Sequence, residues 1–373
     1  MNINFHYFAI KSLACLAGFS DAEAQQIAIY SQFVDDYNPP LVMKCTNIPD
    51  AIKTSDKLDL YSPTLVGNFR PVPTGFTNPF EYATLIVQRE QRFILSPFHF
   101  VPFHETLAGQ ADARVVPLSF GDNSLIDRLL QVEVARYSTG IDTKITLLRL
   151  GMLMHIFADT HAHQMFTGFV SSANRVNITE VRNNITGANI TGDARTRIRG
   201  LFQNAMAQIP AIGHVQAGHS PDLSHVSFTC SYGANGVAAK TIARNNTDVF
   251  IEAARNIYRY LAKCQGNVLA PGTELSYENE EKLRHGFLIE MPRRSTVSTL
   301  AAHWKQVFPD IDYHYNSGEI RQGFGHSSPS VAAMAWSQQT VFSDEFYAYN
   351  VMANELLVAL YGPRARLGFV AVQ

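Results

Sequence analysis

Between residues 155 and 166 the chain reads HIFADTHAHQMF, three histidines and one aspartate inside an otherwise apolar stretch. On a helix His155, Asp159 and His163 recur every four residues, which stacks them along one face with a drift of roughly 40° per step. Neutral imidazole and carboxylate are ligands for transition metals. Burying them among apolar neighbours is costly unless they are paired or metal-bound. The pattern HxxxD followed by a third histidine therefore predicts a metal site, with His161 a competitor to His163 for the last position.

Further groups of the same chemistry lie elsewhere. Of thirteen histidines, eight fall between 99 and 225. His6 sits in an aromatic context (FHYF), and Asp35 and Asp36 close an apolar helix (YSQFVDD), where negative charge opposes the helix dipole and a cation would relieve it. His99 in SPFHFVPFH is a further candidate, beside His104. The loop GHVQAGHSPDLSH, residues 213 to 225, brings His214, His219, Asp222 and His225 within reach of one another without helical spacing. A serine nucleophile elbow at GHSPD is set aside, because Asp222 stands where that turn needs glycine; GFGHSSP at 323 to 329 fails in the same way.

These groups need elements to hold them. Residues 5 to 18 read as a helix closed by Gly18, and Ser20 caps a second one through SDAE, a capping box. Residues 37 to 80, rich in Pro, Asn, Asp and Thr, read as a long excursion with little regular structure. The stretch 82 to 100 fits strand or short helix. From Ser124 to about Phe169 the pattern is helical with a turn at STGIDT, and the second segment, apolar all round in its first half, reads as a central buried helix. Residues 170 to 195 read as loop, 194 to 209 as helix, and 226 to 232 as a short strand. NNTDVFIEAARNIYRYLAKCQG reads as a helix capped by Asn246 or Thr247 and stopped at Gly266. TVSTLAAHWKQVF and DEFYAYNVMANELLVALYG add helices near the end. The expectation is a mainly α single domain over residues 1 to 373, with a helical core carrying the site to about residue 260 and a C-terminal helical extension beyond it.

Composition narrows the function. Apolar residues make up 46% and charged residues 17%, below the usual fraction of about 25%. A net charge of −2 gives no signature for wrapping nucleic acid. The four cysteines, Cys15, Cys45, Cys230 and Cys264, form no CxxC pair and read as reduced thiols. The N-terminus lacks the basic start of an export signal, and no stretch approaches the roughly 20 apolar residues of a membrane span. The expected compartment is the cytoplasm, with export by a specialised secretion system left open.

In their order along the chain these residues resemble the zinc-dependent phospholipase C and single-strand nuclease superfamily. FHYFAIKSLA, SQFVDD, ADTHAHQMFTGF and GHSPDLSH look closer still to a bacterial domain family of unassigned function, over residues 1 to about 260. The resemblance implies a multi-helix phospholipase C/nuclease-like fold with long irregular insertions, holding two or three Zn²⁺ ions. The implied ligands are His6, Asp35 or Asp36, His99, His155 with Asp159, His163, and His219 with Asp222; the loop residue His214 is added from the chain itself. Met1 and Asn2 stand ahead of His6 where the known enzymes have an N-terminal tryptophan. The implied chemistry is attack on phosphorus by a metal-activated water, with Asp159 bridging metals and Asp35 or Asp36 orienting the water or acting as base. The implied substrate is a phosphodiester or phospholipid, the latter with membrane-surface contact. The alternative is a non-catalytic helical protein, with a structural metal site or a secreted toxin or effector scaffold.

Overall fold

The computed structural model describes residues 1–40, 42–63, 68–75, 91–191, 211–232, 240–267, 274–290, 297–325 and 341–363. A six-residue π turn, Asn4–Ala9, runs directly into α1 (Ile10–Ala17) and stops at Gly18, whose φ of 103° suits a residue without Cβ. Ser20 and Glu23 form the reciprocal capping box that starts α2 (Asp21–Asp36). The following excursion holds one helical turn at Asp50–Lys53 and bridges from Phe69 to Met43 and Tyr61. The ambiguous stretch before residue 100 is helical in its described part, a π turn at Gln91–Leu95 continuing into Ser96–Phe98.

Next come α3 (Leu125–Ser138) and α4 (Thr143–Ala162). The helix expected to reach about Phe169 stops at Ala162, with His163 as its C-cap. α4 is buried on every side from Thr146 onward, and α2, α3 and a later helix, α5 (Asn246–Cys264), pack around it. Asn245, one residue before the expected cap, accepts from the Thr247 N–H. Then follow α6 (Tyr277–Phe287), α7 (Val297–Val307), α8 (Ser317–Gly323) and α9 (Asp344–Tyr361), the last also against α4. The helix expected at 194 to 209 falls outside the described residues apart from its neighbourhood at 211.

The fold is mainly α with one small sheet. Strands β1 (Val176–Asn183), β2 (Val226–Tyr232) and β3 (Lys240–Asn245) pair antiparallel in that order. β1 corrects the loop expected there. Its sequence VNITEVRN lacks clean alternation because a bulge between Ile178 and Glu180 shifts the register, so Ile178 and Val181, three apart, both turn inward. They join Phe228, Cys230, Phe100, Phe166 and Ile212 in a second apolar cluster beside the main core.

One hydrophobic core runs from Met1 to Leu360. The C-terminal region folds back onto the N-terminal helix: Trp304 Nε1 donates to Asn4 Oδ1 at 2.6 Å, and the Tyr7 hydroxyl donates to the His314 carbonyl at 2.7 Å. Among the described residues beyond 260, Leu283, Phe287, Trp304, Phe346 and Leu360 belong to this core. None of the four cysteines forms a disulfide, and three are buried. Among the described residues no helix is long and apolar enough to cross a membrane.

α2 and α4 cross at Gly151, where a Cβ would lie 2.4 Å from the Ile27 carbonyl oxygen and 3.0 Å from the Ser31 nitrogen. Backbone cannot move aside as a flexible side chain would. Gly151→Ala is expected to cost typically 1–3 kcal/mol through overpacking, read as a lower midpoint in a denaturant titration; an unchanged midpoint would show that the helices part freely here.

Candidate metal centre

The close crossing at Gly151 carries the end of α2 alongside the last turns of α4. There Asp35 meets His155, with His155 Nε2 lying 3.8 Å from Asp35 Oδ1 and 3.4 Å from Asp159 Oδ2. Gly75 fixes the same end, since a Cβ on it would overlap the Asp35 carbonyl at 2.0 Å. From the π turn at the N-terminus, His6 lays its ring on that of His155 at 3.8 Å and brings Nε2 to 3.1 Å from Asp159 Oδ1. His99 arrives from the turn after Ser96–Phe98, its Nδ1 3.0 Å from Asp159 Oδ2, 3.9 Å from Asp35 Oδ1 and 3.4 Å from His155 Nε2. His163 places Nδ1 3.6 Å from Asp159 and Nε2 3.1 Å from Asp222 Oδ1, and His214 Nε2 reaches Asp222 Oδ2 at 3.3 Å.

Among the described residues three groups result: His6, His155 and Asp159; Asp35, His99 and His155; His163, His214 and Asp222. Two ligands on one tetrahedral zinc, with bonds near 2.1 Å, stand about 3.4 Å apart. The approaches above, 3.0 to 3.9 Å, bracket that separation. The donor set of imidazole and carboxylate suits zinc.

Hydrogen bonding orients the rings. His99 Nε2 faces the Thr74 carbonyl at 2.8 Å, His163 Nδ1 the His99 carbonyl at 2.7 Å and His214 Nδ1 the Gly218 carbonyl at 2.8 Å. A carbonyl only accepts, so in each ring that nitrogen carries the proton and the other turns towards a carboxylate. Metal-ligating histidines are held in this way by their outer nitrogen. Nδ1 of His6 and of His155 have no hydrogen-bond partner among the described residues.

Burial sets the charges. It pushes the His6 imidazole down to about 3, with His155 and the Met1 ammonium adding to the effect. It likewise holds His163 below its ordinary value, despite the pull of Asp159. For His99, Asp159 outweighs burial and the value rises. Burial alone would raise Asp159 and Asp222, but the surrounding cations and imidazoles hold both carboxyls well below the usual range. The α-amino group of Met1 enters the same cluster, paired with Asp159 and 3.5 Å from Asp222.

Asp36 and His219, expected as ligands, fall outside the three groups. Asp36 turns away from the cluster, bonded through its carboxylate to the Tyr315 hydroxyl and through its carbonyl to Arg321, and burial raises its carboxyl to about 6. Asp35 takes the inward place. His219 is exposed and stands at the rim, whereas His214 pairs with Asp222. His161 faces the Leu118 carbonyl at 2.9 Å, leaving His163 in the cluster. His104 and His225 lie outside the three groups.

The sequence reading missed several supports. Arg244 donates to the Ala162 and Pro221 carbonyls, Asn246 to the Ser220 and Leu223 carbonyls and Gln32 to Asp35, while the Thr74 carbonyl faces His99. The cluster opens into a cleft of about 630 Å³ lined by Met1, Gln32, Asp35, Asp222, Tyr315 and neighbouring residues. No Lys or Arg lines that cleft among the described residues.

A family model matches residues 1–355, nearly the whole chain. The chain belongs to the family of unknown function DUF6765. No curated protein and no solved structure matches it. For this DUF6765 member, then, the geometry of the site is the ground on which a function is argued.

Proposed function

We propose that the His/Asp cluster binds zinc and that the protein is a metal-dependent phosphoesterase, related in site architecture to the zinc-dependent phospholipase C and single-strand nuclease superfamily. The observation that carries this reading is the His163–Asp222 pair. With its outer nitrogen donating to the His99 carbonyl, a neutral His163 turns its Nε2 lone pair towards a carboxylate oxygen 3.1 Å away. Either a proton on Nε2 or a metal ion joins the two, and the separation is close to that of two ligands on one zinc. His214, fixed in the same tautomer when neutral, repeats the arrangement on the other Asp222 oxygen.

His163, His214 and Asp222 would hold one ion. His155 belongs to both deeper groups, yet it turns one nitrogen, Nε2, towards both Asp159 and Asp35. One lone pair serves one ion, so two ions have full sets of three protein ligands and a third would rest on two side chains. Bound zinc supplies a Lewis acid for phosphoryl oxygens and lowers the pKa of water towards neutrality. Asp35, 32% exposed at the cleft floor, is placed to accept a proton from water there, its other oxygen held by Gln32 Nε2 at 3.2 Å. Asp159 and Asp222 remain ionised and supply the negative charge that retains cations. With no Lys or Arg lining the cleft among the described residues, a small phosphoester or phospholipid headgroup suits it better than a nucleic-acid backbone.

Hydrolysis of bis(p-nitrophenyl) phosphate and of a short-chain phospholipid, in chelated and zinc-reconstituted protein, tests the reading. Zinc-restored turnover of either supports it; fully loaded protein inert on both removes the catalytic claim. The second reading, a structural metal site, draws on the burial of His6, His155 and Asp159, at 0%, 0% and 1% exposure. A structural ion is saturated by protein, while a catalytic one keeps a water. The corrected ligand assignment has its own check: His214→Ala is expected to lose one ion per chain, and His219→Ala to lose none, by elemental analysis.

A further inference from the structure

We infer that Arg244 is a positioning residue that sets the spacing between His163 and Asp222, an assignment that rests on the metal reading above. Arg244, on β3, is buried at 7% exposure. One guanidinium nitrogen donates to the Ala162 carbonyl at 2.7 Å and another to the Pro221 carbonyl at 3.3 Å. The next residue after each of those carbonyls is a member of the pair, His163 after Ala162 and Asp222 after Pro221. A single planar fork thus ties together the two backbone segments whose side chains meet 3.1 Å apart.

The surroundings fit that task. Ala162 ends α4, where a cation meets the negative end of the helix dipole. The guanidinium lies 5.5 Å from the centre of the Phe228 ring, which fixes its position. Asn246, two residues on, donates to the Ser220 and Leu223 carbonyls at 2.6 and 2.8 Å and holds the same turn from its other side. Two donors from the β3–α5 junction therefore frame Asp222.

Charge and geometry make opposite demands, and this separates them. Arg244 is a buried cation near a cation site; if charge were its main effect, removing it would tighten metal binding. If it positions the pair, losing the two-pronged link loosens the third group whatever the remaining charge. Metal ligands lose typically 10–100-fold in affinity when the groups orienting them are removed.

The test is equilibrium titration of chelator-stripped full-length protein with Co²⁺, followed by its visible absorption, for wild type, R244K and R244M. The expected result is one ion bound about 10–100-fold more weakly in both variants with an altered spectrum, the other sites being unchanged. An R244M protein that binds every ion as tightly as wild type, or more tightly, overturns the assignment. Should R244M fail to fold by circular dichroism, R244K decides, because it keeps the charge and cannot span both carbonyls: wild-type affinity and spectrum in R244K overturn the assignment. If wild type binds no Co²⁺ at all, the metal reading itself falls and takes this inference with it; wild-type binding with unaltered variants removes only the role of Arg244.

Discussion

Asp159→Asn is expected to abolish metal loading at the deep groups and phosphoester hydrolysis together. Four imidazoles and the Met1 amine converge on this carboxylate, with side-chain nitrogens between 3.0 and 3.6 Å from its oxygens. Asparagine keeps the volume but removes the charge and turns one inward atom into a donor. A metal ion and an N–H cannot occupy the same side of that group. Even without metal the change leaves the buried Met1 ammonium facing an amide, and breaking a buried pair by losing one partner costs roughly 3–5 kcal/mol. The variant should therefore melt earlier than wild type in chelator, and gain less from added zinc. Elemental analysis beside a melting curve reads both effects; a full complement of ions in Asp159→Asn would contradict the ligand assignment outright.

Removing the metal from the wild-type protein should have the second largest effect. An ion present at a thousand times its dissociation constant stabilises the folded state by about 4 kcal/mol. Stripping two ions with full ligand sets would lower the melting temperature by roughly 10 °C, given little more than one degree per kcal/mol at this chain size. The sign with pH follows from the ligands. Imidazoles bind metal only when deprotonated, so the gap between loaded and stripped protein is widest above the raised pKa of His99 and narrows as pH falls through it, while His6, held down to about 3, competes for a proton only far lower. Calorimetry at two pH values, one on each side of that point, measures it; identical melting with and without chelator at the higher pH would show that no ion supports the fold.

Where spacing follows a helix, the site could be read directly from the chain. His155 and Asp159 lie one above the other on α4 because four residues is close to one turn, and Ser20 with Glu23 form the capping box that their spacing requires. The reading failed where geometry departs from the helix. Asp35 and Asp36 are adjacent, about 100° apart around α2, and only the crossing with α4 at Gly151 decides which one faces His155. His161 and His163 straddle the end of α4, so the choice depends on where the helix stops. His214 and His219 sit in a loop with two glycines at positive φ, Gly213 at 48° and Gly218 at 59°, a path that no periodicity predicts. β1 was hidden by its bulge. Arg244 carries no local signal, since the two carbonyls it bonds are distant in sequence.

The central claim is that the cluster around Asp159 and Asp222 exists to hold metal. Its most direct test is the metal content of the full chain, by plasma mass spectrometry, on protein prepared without a histidine tag or chelator. The account predicts two or three zinc ions per chain. A folded protein carrying no transition metal, and taking up none from excess zinc, would contradict it.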